Sequence, residues 1–203
     1  MDNKVMYSLS YGLFVLSVHC GKRDNACIIN TAMQVASSPD KLAISVSKSN
    51  LTCDILHYTD DFTISVISED ADFELFKRFG FRSGKDVEKF EGFDDVKRLP
   101  NETLAVTKGT NAYICAHVEQ RIDLGSHIMF IATITDGEVL SSTPSATYAY
   151  YHSSIKPQPE KTVVNGKTVW RCRICGYEYE GEELPEDFIC PLCKHGAADF
   201  EKV

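Results

Sequence analysis

The sequence has no apolar run long enough to span a bilayer, and its start, Met1 to Met6, has neither the basic cluster nor the small-residue cleavage site of a secretory signal. Both absences point to the cytoplasm. No glycine-rich fingerprint of the GxGxxG or GxxxxGK[ST] type is present, so a nucleotide cofactor would have to be held by other means. Strand-like and helix-like stretches do not alternate regularly, which argues against a doubly wound parallel sheet, and there is no internal repeat. Positive charge is scarce. Against 29 Asp and Glu stand 21 Lys and Arg, a net charge of -8 that gives the surface the wrong sign for nucleic acid.

What the sequence does have is eight cysteines. Cys20, Cys27, Cys53 and Cys115 lie singly among apolar or small residues and read as reduced thiols. The other four form two CxxC knuckles, Cys172 with Cys175 and Cys190 with Cys193, separated by 14 residues. Two residues between cysteines let both sulfurs of one turn face a common point, so the two turns supply four thiolates to one tetrahedral metal, zinc or iron. The choice of metal decides the chemistry. Zinc has no redox activity, whereas iron held by four sulfurs moves single electrons. The segment 178 to 187 carries six acids and no base, which disfavours a nucleic-acid-binding zinc ribbon. The knuckle surroundings, Trp170, Gly176, Tyr177, Leu184, Pro185, Phe188, Pro191 and Asp199 to Val203, resemble rubredoxin, shortened between the knuckles. The resemblance implies one iron held by Cys172, Cys175, Cys190 and Cys193, with Trp170, Tyr177, Tyr179, Phe188 and Phe200 as a small core. Gly176 allows backbone amides to point at sulfur.

Upstream, residues 5–18, 26–36, 41–47, 62–67, 103–107, 111–121 and 127–135 read as strands, with a turn at Ser37 to Asp40 and another at Asp136 and Gly137. A short helix over 51–58 is expected, capped by Ser49 or Asn50. A second opens at Ser68 to Asp70, aligns Phe73, Phe76 and Phe79 on one face and ends near Gly80. Ser153, Ser154, Pro157 and Pro159 mark a domain boundary. The organisation expected is a domain over 1–152, a linker over 153–167 and the knuckle module over 168–203. A succession of short strands with few helices makes the first domain mainly β, a closed or partly closed barrel.

The run from Asn25 to Pro39, its continuation Leu42 to Thr52, the stretch Phe81 to Phe90 and the stretch Leu124 to Ile131 resemble the FMN-binding split β-barrel of the flavin reductase and flavoredoxin family. This resemblance implies that Asn25, Asn30 and Thr31 line the isoalloxazine and ribityl chain. It implies that Ser47, Lys48, Ser49, Asn50 and Thr52 hold ribityl and phosphate, that Ser83 and Lys89 contribute at that end, and that His127 lies near flavin and nicotinamide. Hydroxyls, amides and a helix N-terminus suit a phosphate dianion. Without the resemblance, Ser45, Ser47 and Ser49 read as the solvent face of a strand and His127 as a packed histidine. Cys27 has no histidine or second cysteine paired with it in the sequence and is not read as a nucleophile.

A flavin and a one-electron iron in one chain imply an oxidoreductase that passes electrons from NADH or NADPH through FMN to the iron centre and on to a protein acceptor. The two-domain arrangement resembles the high-molecular-weight rubredoxins of anaerobic bacteria, which implies a flavodiiron-type acceptor and a homodimer. The alternatives are a flavin or ferric reductase with a regulatory metal module, or a non-enzymatic protein that binds FMN and zinc.

Overall fold

Strand alternation sets the architecture. In the computed structural model, which describes residue 5 and residues 8–157, 168–173, 176–191 and 196–202, the chain divides into two units, Met1–Ile155 and Lys156–Val203. The first contains β1 (Phe14–Cys20), β2 (Arg23–Ile29), β3 (Ala32–Ser37), β4 (Asp40–Ser47), α1 (Leu51–Tyr58), β5 (Asp61–Ile67), α2 (Phe73–Phe79), β6 (Val96–Arg98), β7 (Leu104–Val106), β8 (Thr110–Asp123) and β9 (His127–Val139). A helical turn, Tyr148–Tyr150, then leads into a π-helical turn, Tyr151–Ile155.

Seven strands form one antiparallel sheet in the order β2-β1-β5-β8-β9-β4-β3. Laid flat, such a sheet would be roughly 29 Å across at the usual interstrand spacing. Yet Cys27 and Ile29 of β2, Leu42 and Ile44 of β4, and Phe62, Ala116 and Phe130 between them share one apolar core. The sheet is therefore curled into a split β-barrel, with Leu56 of α1 buried in the same core. Period two is visible in β1: Leu16 and Val18 enter this core, while Leu13 and Val15 enter a second beneath α2. On that outer side, Phe76 and Phe79 share the buried face of α2, and Phe79 meets the rings of Phe90 and Phe93 at 5.2 and 5.3 Å.

Two expected boundaries are corrected. Asp136 and Gly137 form no turn: β9 runs through them to Val139, paired with β8 across a register shift at Cys115 and Ala116. Gly137 is there for space, because a Cβ would stand 3.0 Å from the Tyr113 carbonyl oxygen. The hairpin turn falls instead between Asp123 and His127, around Gly125 at φ 86°. Likewise α2 opens at Asp72, whose carboxylate accepts from the Leu75 N–H at 3.0 Å, and not at Ser68, whose hydroxyl donates to Asp70 in the preceding turn.

The second unit holds a three-stranded sheet in the order β11-β10-β12, made of β10 (Val169–Cys172), β11 (Glu178–Glu180) and β12 (Phe200–Lys202). Most of the expected linker, residues 158–167, lies outside the described residues.

Candidate functional site: a cavity at the barrel split and a cysteine knuckle

A cavity of about 260 Å³ opens where β2 passes into β3. Ile28, Ile29, Asn30 and Thr31 supply one wall, Ser45, Ser47 and Asn50 another, and His127, Leu13 and Tyr148 the rest. Register explains the second wall. Ser47 lies opposite His127 in the β4–β9 pair, and Ser45, two residues earlier, lies on the same face of β4. Ser45 and Ser47, which read as solvent-facing by alternation alone, thus line a cavity. The Ser45 N–H donates to the Thr31 carbonyl at 3.2 Å, which ties the two walls together. Nδ1 of His127 lies 2.9 Å from Ser126 Oγ, and among the described residues Nε2 makes no hydrogen bond.

Five of the expected site residues, Asn30, Thr31, Ser47, Asn50 and His127, are therefore brought together. Ser49 is adjacent and exposed, its hydroxyl 2.9 Å from that of Ser47. Asn50 caps α1 by position while its side chain makes no cap bond. Lys48 is engaged on the surface by both carboxylate oxygens of Asp123, at 2.7 and 2.8 Å. The Lys48 ammonium, helped by the Gly125 N–H, holds the Asp123 carboxyl below its usual range. Ser83 accepts from the Lys85 N–H at 3.1 Å in an exposed loop.

Asn25, Thr52 and Lys89 go elsewhere. Asn25 and Thr52 are 2% and 1% exposed, and the Asn25 amide donates to Thr52 Oγ1 at 2.7 Å. Lys89, 5% exposed, donates to the Phe79 carbonyl at 2.8 Å. Burial pushes the Lys89 ammonium down and the neighbouring Cys27 thiol up, which keeps that thiol protonated and unreactive. The Asn25–Thr52 bond ties β2 to α1 and Lys89 ties the loop after α2 back to that helix, while Arg23 donating to the Gly84 carbonyl and Lys85 paired with Asp54 fasten the loop to β2 and α1. Thr52→Ala should accordingly cost about 1–3 kcal/mol of stability, because it strands a buried amide donor. Urea unfolding checks this, and a midpoint unchanged from wild type would contradict it.

The cavity's donor set fits a flavin in kind. Aliphatic side chains and an aromatic ring suit a flat ring system, while hydroxyls and amides suit a polyol chain. At about 260 Å³ it lies below the usual 300–1,000 Å³ of a small-molecule pocket, so a ligand of that size would reach beyond it. Sequence reasoning missed Leu13, Ile28, Ile29 and Tyr148. Ile28 and Ile29 follow from adjacency to Asn30, but no local signal marks Tyr148, which the fold delivers from beyond the last strand of the barrel.

In the second unit Cys172 and Cys190 have no exposed surface. The Gly176 N–H donates to the Cys172 carbonyl at 2.9 Å and the Cys172 N–H to the Tyr177 carbonyl at 2.8 Å, closing the first knuckle with Gly176 at φ 79°. Ile189 and Gly196 bridge the base of the second. Phe188 meets Tyr177, Tyr179 and Phe200 at 6.4, 4.8 and 5.3 Å, as the expected core requires. Trp170 is half-buried in β10 opposite Tyr179. Cys175 and Cys193 lie outside the described residues.

A split barrel with a polar and aromatic cavity, joined to a buried-cysteine knuckle, defines a flavin-linked redox protein. The chain belongs to the flavin reductase like domain family, which matches residues 6–158, and residues 170–201 match the rubrerythrin, rubredoxin-like domain. It is similar over the full length of both chains, at 34% identity, to the high molecular weight rubredoxin of Moorella thermoacetica. It is 33% identical to the ferric-chelate reductase (NAD(P)H) of Archaeoglobus fulgidus, over 80% of this chain and 95% of that one. Among solved structures, the NADH:FAD oxidoreductase SgcE6 of Streptomyces globisporus C-1027 shares the barrel fold with a TM-score of 0.65 at 17% identity, over 71% of this chain and 84% of that one. The protein is an oxidoreductase of flavin-linked electron transfer. No helix among the described residues is long and apolar enough to cross a membrane.

Proposed function

We propose that this chain relays electrons from NAD(P)H, through FMN at the barrel cavity, to a single iron held by Cys172, Cys175, Cys190 and Cys193, and on to a protein acceptor of the flavodiiron type. FMN accepts electrons as a hydride pair and can release them singly, while a four-thiolate iron carries one at a time. The observation that carries the reading is the pairing of the two sites in one chain: a flavin-type cavity in the first unit and solvent-excluded cysteines in the second.

The chain's own residues divide the work. Asn30 and Thr31 would offer amide and hydroxyl groups to the ring and ribityl chain, and Ser45, Ser47 and Asn50 continue that polar wall to the N-terminus of α1, where Asn50 and the adjacent Ser49 would hold the phosphate. Lys48 serves there only by leaving Asp123. The acidic stretch 178–187 favours a basic patch on the acceptor and a fast, salt-sensitive encounter. A homodimer is supported by a second, mostly apolar cavity of about 370 Å³ beside edge strand β3, where Met33 and Val35 are exposed. A ferric reductase whose second unit is regulatory is the second reading, favoured by the similarity to the archaeal ferric-chelate reductase.

His127 is assigned the position beside the reacting ring, with Nδ1 oriented by Ser126. His127→Ala should slow reduction of bound flavin by NADH roughly tenfold, the scale of one lost hydrogen bond of about 1.4 kcal/mol, with little change in FMN affinity. Stopped-flow absorbance checks it. A wild-type rate would return His127 to packing.

A further inference from the structure

The seven-stranded sheet is complete at Val139, yet the chain is stitched back over the barrel before it leaves the first unit. Asn111 donates to the Thr143 carbonyl and to Ser145 Oγ, both at 2.8 Å. The Ala146 N–H donates to the Ile67 carbonyl at 2.8 Å and the Tyr148 N–H to the Tyr11 carbonyl at 2.9 Å. These bonds lead to the helical turn that begins at Tyr148 and to Tyr151 directly after it, three residues apart and so on the same side of the turn. The two rings have different surroundings. Tyr151 is buried at 6% exposure with its ring 4.4 Å from that of Phe76, an anchor in the core beneath α2. Tyr148 is only half-buried and lines the flavin-type cavity, with Tyr11 edge-on at 6.4 Å, His152 edge-on at 4.6 Å and Tyr151 stacked at 6.3 Å.

A ring braced on three sides by other rings has little rotational freedom left to lose when a ligand arrives. Among the described residues, apart from the His127 imidazole, it is also the one aromatic side chain on the cavity wall. The aliphatic Leu13, Ile28 and Ile29 can exclude water from a flat heteroaromatic ring, whereas Tyr148 offers a preformed π-face.

We propose that Tyr148 is a flavin-positioning residue, its ring stacking against the ring system bound in the cavity, with Tyr151 as the anchor that sets its place. This rests on the flavin reading above. It accounts for the succession of hydrogen bonds that holds the segment after β9, since that segment leads to the turn on which the two rings sit.

The test uses the full-length protein with FMN as the probe, and reads dissociation constant and fluorescence yield of bound flavin, because stacking on an electron-rich ring quenches flavin emission. Tyr148→Ala and Tyr148→Leu should each weaken FMN binding roughly tenfold, the scale of loss of one aromatic stacking partner, and raise the emission of the bound flavin. Tyr148→Phe, which keeps the π-face but lacks the electron-donating phenol, should bind FMN like wild type while the emission of its bound flavin rises. Should Tyr148→Ala fail to fold, the Leu and Phe pair still decides. Wild-type affinity and quenching in Tyr148→Leu would overturn the stacking role alone, as would a Tyr148→Phe variant as weak as Tyr148→Leu. Failure of the wild-type protein itself to bind FMN would overturn the flavin reading and this assignment with it.

Discussion

Replacing Cys172 and Cys190 together with serine should strip the C-terminal site of metal, unfold that unit and abolish electron delivery to a flavodiiron-type acceptor, while NADH still reduces the flavin at the wild-type rate. Magnitudes decide why the unit unfolds. Among the described residues its apolar core is Val169 and three ring contacts around Phe188, each contact contributing about 0.5–1.5 kcal/mol beyond area burial, and its sheet has three short strands. A structural metal bound by four thiolates contributes on the order of 10 kcal/mol to the folding of so small a domain. The hydroxyl of serine is a hard, protonated donor and does not replace a thiolate whose sulfur has no exposed surface. The first unit has three apolar clusters of its own, which favours its folding without the second. Metal analysis, far-UV circular dichroism and acceptor assays read the three parts separately. Acceptor reduction at the wild-type rate by this variant would mean that the flavin donates directly, and would favour the ferric-reductase reading.

Cutting the chain after Ile155 should have an equally large effect by a different route. The two fragments keep their own sites, because the division falls between compact units. What is lost is the tether. A short linker holds its two ends at an effective concentration on the order of 1 mM, so free fragments mixed at about 10 µM should transfer electrons between the units roughly 100-fold more slowly. Raising the concentration of the C-terminal fragment toward the millimolar range should restore the rate. Transfer at the intact rate from dilute fragments would show that the units associate without the tether.

The barrel was legible in the sequence because its signals are local. Strand alternation, the paired prolines and the short helix after Asn50 are each written in consecutive residues. The knuckle was legible for the same reason, since ligand spacing is itself a local pattern. The limits lie where chemistry depends on contacts distant in the chain. Asp136 and Gly137 have the composition of a turn, but the neighbouring β8 strand keeps pairing past them, and the glycine serves the approach of the Tyr113 carbonyl. Asn25 has the chemistry of a ribityl or ring ligand, and Thr52 and Lys89 that of phosphate ligands, yet all three find protein partners. Ser45 was visible only as half of an alternation whose facing direction depends on β9. Tyr148 carried no signal, because nothing between residues 50 and 148 announces that they meet at one cavity.

The central claim is that the two sites work in series, and anaerobic stopped-flow mixing of the as-purified, fully loaded protein with NADH tests it most directly. Flavin absorbance and ferric-thiolate absorbance are followed in the same trace. The account predicts that the flavin bands bleach first and the ferric-thiolate bands afterwards, at a rate independent of protein concentration, as transfer within one molecule requires. Absence of ferric-thiolate bands, or bands that persist after the flavin is fully reduced, would contradict it.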